Sequence, residues 1–470
     1  MLFHSLDFVF FIVAFAAMYT LVASRVKIRN LLLLLASHLF YGWWDARFLS
    51  LLVLSTLVDY GVGCYLGRDD QAQNSKRRQR RRKLALGISI LTNLGVLGTF
   101  KYFGFFYESF SVLLAAVGLP AHPLTLKLIL PVGISFYTFQ TLSYTIDVYR
   151  GSLAACRDPV RFGVYVAFFP QLVAGPIERA SDLLPQLATH HRPSHDEWLI
   201  ALWWVLLGYF KKIYVADNLA ATVDPIFAEP NAFDSIQRWL ALLGFAFQIY
   251  ADFSGYSDIA RGLAMGMGFR LSPNFCLPYF AASPREFWQR WHITLSRWLR
   301  DYVYIPLGGN RGGPVNTARN LMLTMMLGGL WHGAAWTFVL WGIFHGTFLI
   351  GDHFVGFDRG PRKLRVLVLF GWTLVSWALF RSPDLATCAT MLSPISDVSF
   401  DAPAAIRNTA KWCMYIGPLF LLEIWMARRQ DMLVVLKQSA WIQGGIFFVM
   451  LMLIAVLGSF GPTSFLYFQF

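Results

Sequence analysis

Two histidines, His292 and His332, each follow a tryptophan in a 470-residue chain so apolar that its polar groups need a reason to be present. His332 sits in LGGLWHGAAWTF, where Gly328, Gly329, Gly333, Ala334 and Ala335 allow close helix packing or a local break around one imidazole. Imidazole titrates near neutrality, so a histidine held in such surroundings suits proton abstraction from a hydroxyl. His292 lies in SPREFWQRWHITLSRWLRDYVYIPLGGNRGG, where aromatic and aliphatic residues share the stretch with Arg285, Glu286, Gln289, Arg290, Arg297, Arg300 and Asp301. That texture predicts an amphipathic or re-entrant helix at the membrane interface. Arg285, Arg290 and Arg297, with Asn310 and Arg311 of the GGNRGG turn, form a candidate site for the phosphates of a donor; anchoring to lipid headgroups explains the same composition.

Asp252 and Asp258 lie six residues apart in YADFSGYSDIARG. A carboxylate in apolar sequence needs a partner or marks a functional pathway. The expected arrangement is a structural network in which the two hold Arg285, Arg290 or Arg297, with a direct chemical role as the alternative. The stretches 131–151 and 168–183 mix Pro, Gly and hydroxyls into apolar sequence, and broken helices at membrane depth are expected to line a cavity.

The elements that must position these groups follow from composition. With 56% hydrophobic and 14% charged residues and a mean hydropathy of +0.49, the chain is excluded from the ordinary soluble class and reads as an all-α polytopic membrane protein. Apolar windows fall near residues 6–23, 30–44, 47–66, 84–100, 159–176, 198–216, 334–351, 364–380, 411–427 and 440–459. Weaker ones fall near 104–119, 125–146, 236–250 and 254–268, giving roughly ten to thirteen spanning or re-entrant helices. Residues 186–197 and 381–409 read as polar loops. No period of 20–50 residues and no linker divides the chain, so a single membrane domain over 1–470 is expected, with its core motifs in 131–346.

The first residues lack a basic n-region and a cleavage site, which predicts a retained first helix. The five cysteines show no CxxC or Cys/His ligand spacing, so neither a disulfide framework nor a metal site is expected. The net charge of +13 is concentrated in Lys76–Lys83, a run expected to hold a short loop in the cytoplasm, with attraction to anionic lipid or an acidic donor as the alternative. No nucleic-acid-binding module surrounds it.

Taken together, RNLLLLLASHLFYGWW, LPVGISFYTFQTLSYTIDVYRG, FFPQLVAGPIER, YADFSGYSDIARG, FWQRWHITLSRWLRDYVYIPLGGNRGG and GGLWHGAAWTFVLWGIFHG resemble the membrane-bound O-acyltransferase (MBOAT) family. The branch is that of bacterial exopolysaccharide O-acetylases, similar to the alginate and cellulose acetylation proteins. The resemblance implies helices around a central cavity or tunnel, in the bacterial inner membrane. It makes His332 the catalytic histidine and His292 the second active-site position. It implies acetyl-CoA as donor substrate with no resident cofactor, and periplasmic SGNH-type acetyltransferase partners with a polysaccharide secretion complex. On that reading His332 is the general base, and His292 positions the thioester or donates a hydrogen bond to the oxyanion. The absence of a GxSxG elbow or an activated cysteine favours direct transfer.

Other readings share part of the pattern. They are acylation of another envelope polymer or a lipid, a transporter, and a scaffold subunit of a secretion complex. A transporter is expected to show two related halves, and the chain shows no internal repeat. The aromatic tail 461–470 reads either as an interfacial anchor or as a segment that folds back and turns Tyr467 toward His332, as a gate or transient acetyl acceptor.

Topology is directly testable. With three spans before the basic run, a reporter fused in residues 67–83 is expected in the cytoplasm and one at the N-terminus outside. A cytoplasmic N-terminal reporter would show that the number of preceding spans is not three.

Overall fold

A computed structural model describes residues 1–68, 76–119, 129–395, 402–461 and 465–466, with backbone alone for 402–408. The described residues form helices and connecting turns, with no β-strand among them. Five helical stretches among them are long and apolar enough to cross a bilayer: Ala46–Leu66, Lys76–Ala116, His195–Ala228, Arg362–Arg381 and Ala440–Leu457. The shorter Leu6–Val22 is also apolar. In Ala440–Leu457 only Met450 is buried, and Trp441 is 91% exposed. An apolar helix left this bare requires lipid around it, and the protein is a multi-pass membrane protein.

The chain divides into two compact units, one of residues 1–192 with 268–271, the other of 193–267 with 272–470. In the first, Phe3, Phe8, Phe11, Phe40 and Phe169 pack as one aromatic cluster. A polar knot sits beside it in sequence order: the buried Asp59 carboxylate accepts from the Ser89 hydroxyl, from Asn93 Nδ2 at 2.7 Å and from Thr145 Oγ1 at 3.0 Å. Residues 131–151 and 168–183, expected to line a cavity, are largely buried in this unit. Ile134–Arg150 is an unbroken helix, and Gln140 and Gln171 both donate through Nε2 to the Tyr165 carbonyl, at 2.5 and 3.0 Å.

Several apolar windows take other forms than expected. The 159–176 window is two helices, Pro159–Ala167 and Phe169–Leu172, because Pro170 lacks an N–H and its ring would strike the carbonyl four residues back. The basic run is helical from Lys76 onward, and residues 69–75 lie outside the described residues. The windows 84–100 and 104–119 join through a π-helical turn at Gly98–Tyr102. Within 381–409 the helix Leu385–Met391 forms, and Ala402 opens the helix Ala402–Arg429.

In the second unit, 236–250 and 254–268 are one 32-residue helix, Ser235–Gly266. It begins with a capping box, Asp234 receiving Gln237 N–H at 2.8 Å while Gln237 Oε1 receives Asp234 N–H at 3.1 Å. It packs against His195–Tyr209 at glycines: a Cβ on Gly208 would come within 2.6 Å of the Gly255 carbonyl, and one on Gly255 within 2.8 Å of the Gly208 carbonyl. This backbone contact brings the following π-helical segment, Phe210–Ala216, against the carboxylates of the long helix.

Candidate active site

The expected single amphipathic helix around His292 is broken at that residue. Pro284–Arg290 ends, Trp291 is extended, and His292 takes left-handed backbone angles (φ 42°, ψ 53°) at the start of Ile293–Leu299. A side chain with a Cβ adopts this region at a cost, on the order of 1–3 kcal/mol. The neighbouring stretch takes up the broken ladder: Ile293 N–H donates to the Asn274 carbonyl and Cys276 N–H to the Arg290 carbonyl, both at 2.9 Å. His292 itself is 0% exposed. Its Nδ1 lies 3.1 Å from Asn274 Oδ1, and its ring packs edge-on against Phe253, centroids 4.8 Å apart.

His332 is the last residue of Pro314–His332 and is 4% exposed. That helix lies tightly against Trp336–Phe354, with a Cβ on Gly329 colliding with the Phe338 carbonyl. The turn between the two helices therefore presents the imidazole with Trp331 and Trp341 packed edge-on to it, at 5.1 and 5.0 Å. The rings of His292 and His332 are 6.3 Å apart, and Trp331 touches both.

A cavity of about 530 Å³ reaches His332. Its walls include buried Trp341, Ile293, Leu295, Leu299 and Met325, and its exposed rim carries Arg285, Arg297, Arg300 and Asn310. Of the five residues expected to meet a donor, Arg285, Arg297 and Asn310 line this cavity, while Arg290 and Arg311 do not. Arg290 is committed elsewhere, to Glu286 at 2.8 Å and the Cys276 carbonyl at 3.3 Å. His292 is also absent from the cavity wall; it stands behind it, next to Trp331 and His332. The cavity thus has apolar walls below a cationic rim.

Asp252 and Asp258 do not hold Arg285, Arg290 or Arg297. Their partners are two consecutive lysines that sequence reasoning missed: Lys211 Nζ lies 2.8 Å from Asp258, and Lys212 Nζ lies 2.6 Å from Asp252 and 2.8 Å from Asp217. The signal was available, since adjacent lysines in GYFKK inside an apolar span must find carboxylates. The other oxygen of Asp252 receives the backbone N–H of Leu466 at 2.8 Å, and Phe465 packs on Phe253 and Tyr256. Two residues of the tail therefore do fold onto the helix that carries Phe253; Tyr467 lies outside the described residues. Asn274 and the third buried histidine, His345, packed against Trp288 and Trp341, were also missed.

The described residues thus make a helical membrane protein in which a buried histidine lines a cavity with a cationic rim. Residues 158–357 match the MBOAT, membrane-bound O-acyltransferase family. The chain is 44% identical over 420 residues to a probable alginate O-acetylase AlgI of Azotobacter vinelandii, covering 88% of this chain and 79% of that one. It is 43% identical to a protein of the same name from Pseudomonas aeruginosa, covering 82% and 73% of the two chains. It is 35% identical to a peptidoglycan O-acetyltransferase of Helicobacter pylori, covering 77% and 73%. The protein belongs to the membrane-bound O-acyltransferase family and is an acyltransferase.

The lysine pairing can be tested without an activity assay. Lys212→Met leaves Asp252 and Asp217 buried without their cation, an expected loss of about 3–5 kcal/mol. Lys437→Met removes an exposed pair with Asp431 and is expected to change little. Thermal unfolding of the two variants in detergent checks this, and equal midpoints would contradict the pairing.

Proposed function

We propose that this protein transfers an acetyl group from acetyl-CoA, entering from the cytoplasmic side, to a hydroxyl acceptor in the O-acetylation of an envelope polysaccharide. The observation that carries the reading is the placement of His332 on the wall of a cavity rimmed by Arg285, Arg297 and Asn310. The relatives named for alginate and for peptidoglycan O-acetylation support acetyl as the group moved and a glycan as its destination. The higher identity to the alginate proteins favours alginate or a similar exopolysaccharide. The reading places the protein in the bacterial inner membrane, working with periplasmic SGNH-type acetyltransferases and a secretion complex that complete the modification.

In this mechanism the arginines and Asn310 hold the phosphates of the donor, and the thioester lies along the apolar wall toward His332. The acceptor oxygen attacks the thioester carbonyl while His332 takes its proton, a contribution of about 10²- to 10⁴-fold. The C–O bond forms, the C–S bond breaks, and the proton held by His332 passes to the departing sulfur. Trp341 and Trp331, packed against the imidazole, exclude water that would otherwise hydrolyse the donor.

His332→Ala is expected to abolish acetyl transfer while the protein remains folded in the membrane. Normal polymer acetylation in cells carrying only this variant would sink the mechanism. Purified wild-type protein is expected to release CoA from acetyl-CoA in an acceptor-dependent manner.

A further inference from the structure

Asn274 lies beside the break at His292 and reaches it twice, through its carbonyl to Ile293 N–H and through its side chain to the ring. Its Oδ1 receives Thr294 N–H at 3.3 Å and Thr294 Oγ1 at 2.9 Å, and its Nδ2 donates to Ser257 Oγ at 3.3 Å. These contacts fix which way the amide is turned. A backbone N–H only donates, so the amide atom it meets is the oxygen. Against that oxygen, His292 Nδ1 must carry the proton. A neutral imidazole has one N–H, and the lone pair therefore lies on Nε2.

This changes the role expected for His292. A neutral ring whose only N–H is committed to Asn274 has none left for an oxyanion. What it offers instead is a lone pair, 6.3 Å ring to ring from His332. We propose that Asn274 is a positioning residue of the transfer, holding His292 as an acceptor whose Nε2 stabilises the imidazolium that His332 becomes when it takes the hydroxyl proton. The other tautomer would place a proton rather than a lone pair at Nε2 and withdraw that stabilisation. The arrangement follows the logic by which a base is oriented by a third group. It also accounts for the left-handed backbone at His292, since the stretch that restrains the ring is the one that takes up the broken hydrogen-bond ladder. The titratable groups on the packed elements include His332, from Pro314–His332, and Tyr250, Tyr256, Asp252 and Asp258 of Ser235–Gly266, the two carboxylates being held by Lys212 and Lys211, with Arg261 3.8 Å from Asp258. The inference rests on His332 acting as the base.

Two variants and one spectroscopic measurement test it. Asn274→Leu removes the acceptor, and kcat is expected to fall about 10-fold or more with KM for acetyl-CoA unchanged. Asn274→Asp keeps the acceptor and adds negative charge; it is expected to retain transfer, with the acid limb of the rate–pH profile moved up by about one pH unit, because the carboxylate favours the protonated imidazoles. A purely structural role would lower the folded fraction and leave kcat per folded enzyme unchanged in Asn274→Leu. Wild-type kcat in Asn274→Leu, or an unshifted limb in Asn274→Asp, overturns the proposal. Nitrogen-15 spectra of histidine-labelled protein in lipid decide the tautomer without any assay: the signals lost in His292→Gln are expected to show a protonated Nδ1 and a bare Nε2, and the reverse pattern overturns it. Failure of the wild type to transfer acetyl from acetyl-CoA would instead remove the reading beneath, while the nitrogen-15 result still decides the state of His292.

Discussion

Charges inside a membrane protein must be matched in place, and in the unit that holds both histidines this is done by Lys211 and Lys212 against Asp258 and Asp252. An unmatched charge at membrane depth costs roughly 2.5–3.5 kcal/mol even by lenient measures. A slide of Ser235–Gly266 by one residue along its neighbour would separate both pairs together. The pairs therefore fix the register of that helix, and much of the site hangs from it. Phe253 packs edge-on against His292, Ser257 receives the amide of Asn274, and the second oxygen of Asp252 anchors the tail at Leu466. Lys211 also lies 5.3 Å from the ring centre of Tyr250, whose hydroxyl donates to the buried Glu423 at 2.6 Å, tying Ala402–Arg429 to the same network.

The sequence made the chemistry more legible than the backbone. WHG and RWH stand out because a buried imidazole has no structural necessity, and the structure brings both rings together with Trp331 against each. Arg285, Arg297 and Asn310 stood out in the sequence as polar groups beside apolar residues, and they line the cavity that His332 reaches. Arg290 looked the same in composition, yet Glu286 one turn earlier had already claimed it. The partners of Asp252 and Asp258 were misread for a related reason. Hydropathy merges Lys211 and Lys212 into the apolar span around them, whereas the nearby arginines advertise themselves.

Helix breaks were harder to read. Asp252, Ser254, Gly255 and Ser257 look like an interruption, but the lysine contacts and the glycine-to-glycine approach make them the inner face of a continuous helix. The 283–301 stretch looks continuous, but Trp291 and His292 leave the helical region because residues 274–276 supply alternative hydrogen-bond partners from outside the segment. Local propensity contains neither fact. Both depend on which distant backbone arrives alongside.

The π-helical segment Phe210–Ala216 carries Lys211 and Lys212 and continues into Asp217–Ala228 without a break. Such a segment is an α-helix that has absorbed an extra residue. Chain length there is consequently as constrained as residue identity. A lineage can exchange Phe210 or Ile213 for another apolar residue and keep the charge pairs. Losing a single codon in the segment would rewind it to α-geometry and keep the flanking helices in phase, but the wide turn that sets Lys211 and Lys212 against Asp258 and Asp252 would be gone. In this stretch of the gene, insertions and deletions should be purged far more strictly than point changes, even though none of its residues touches the cavity.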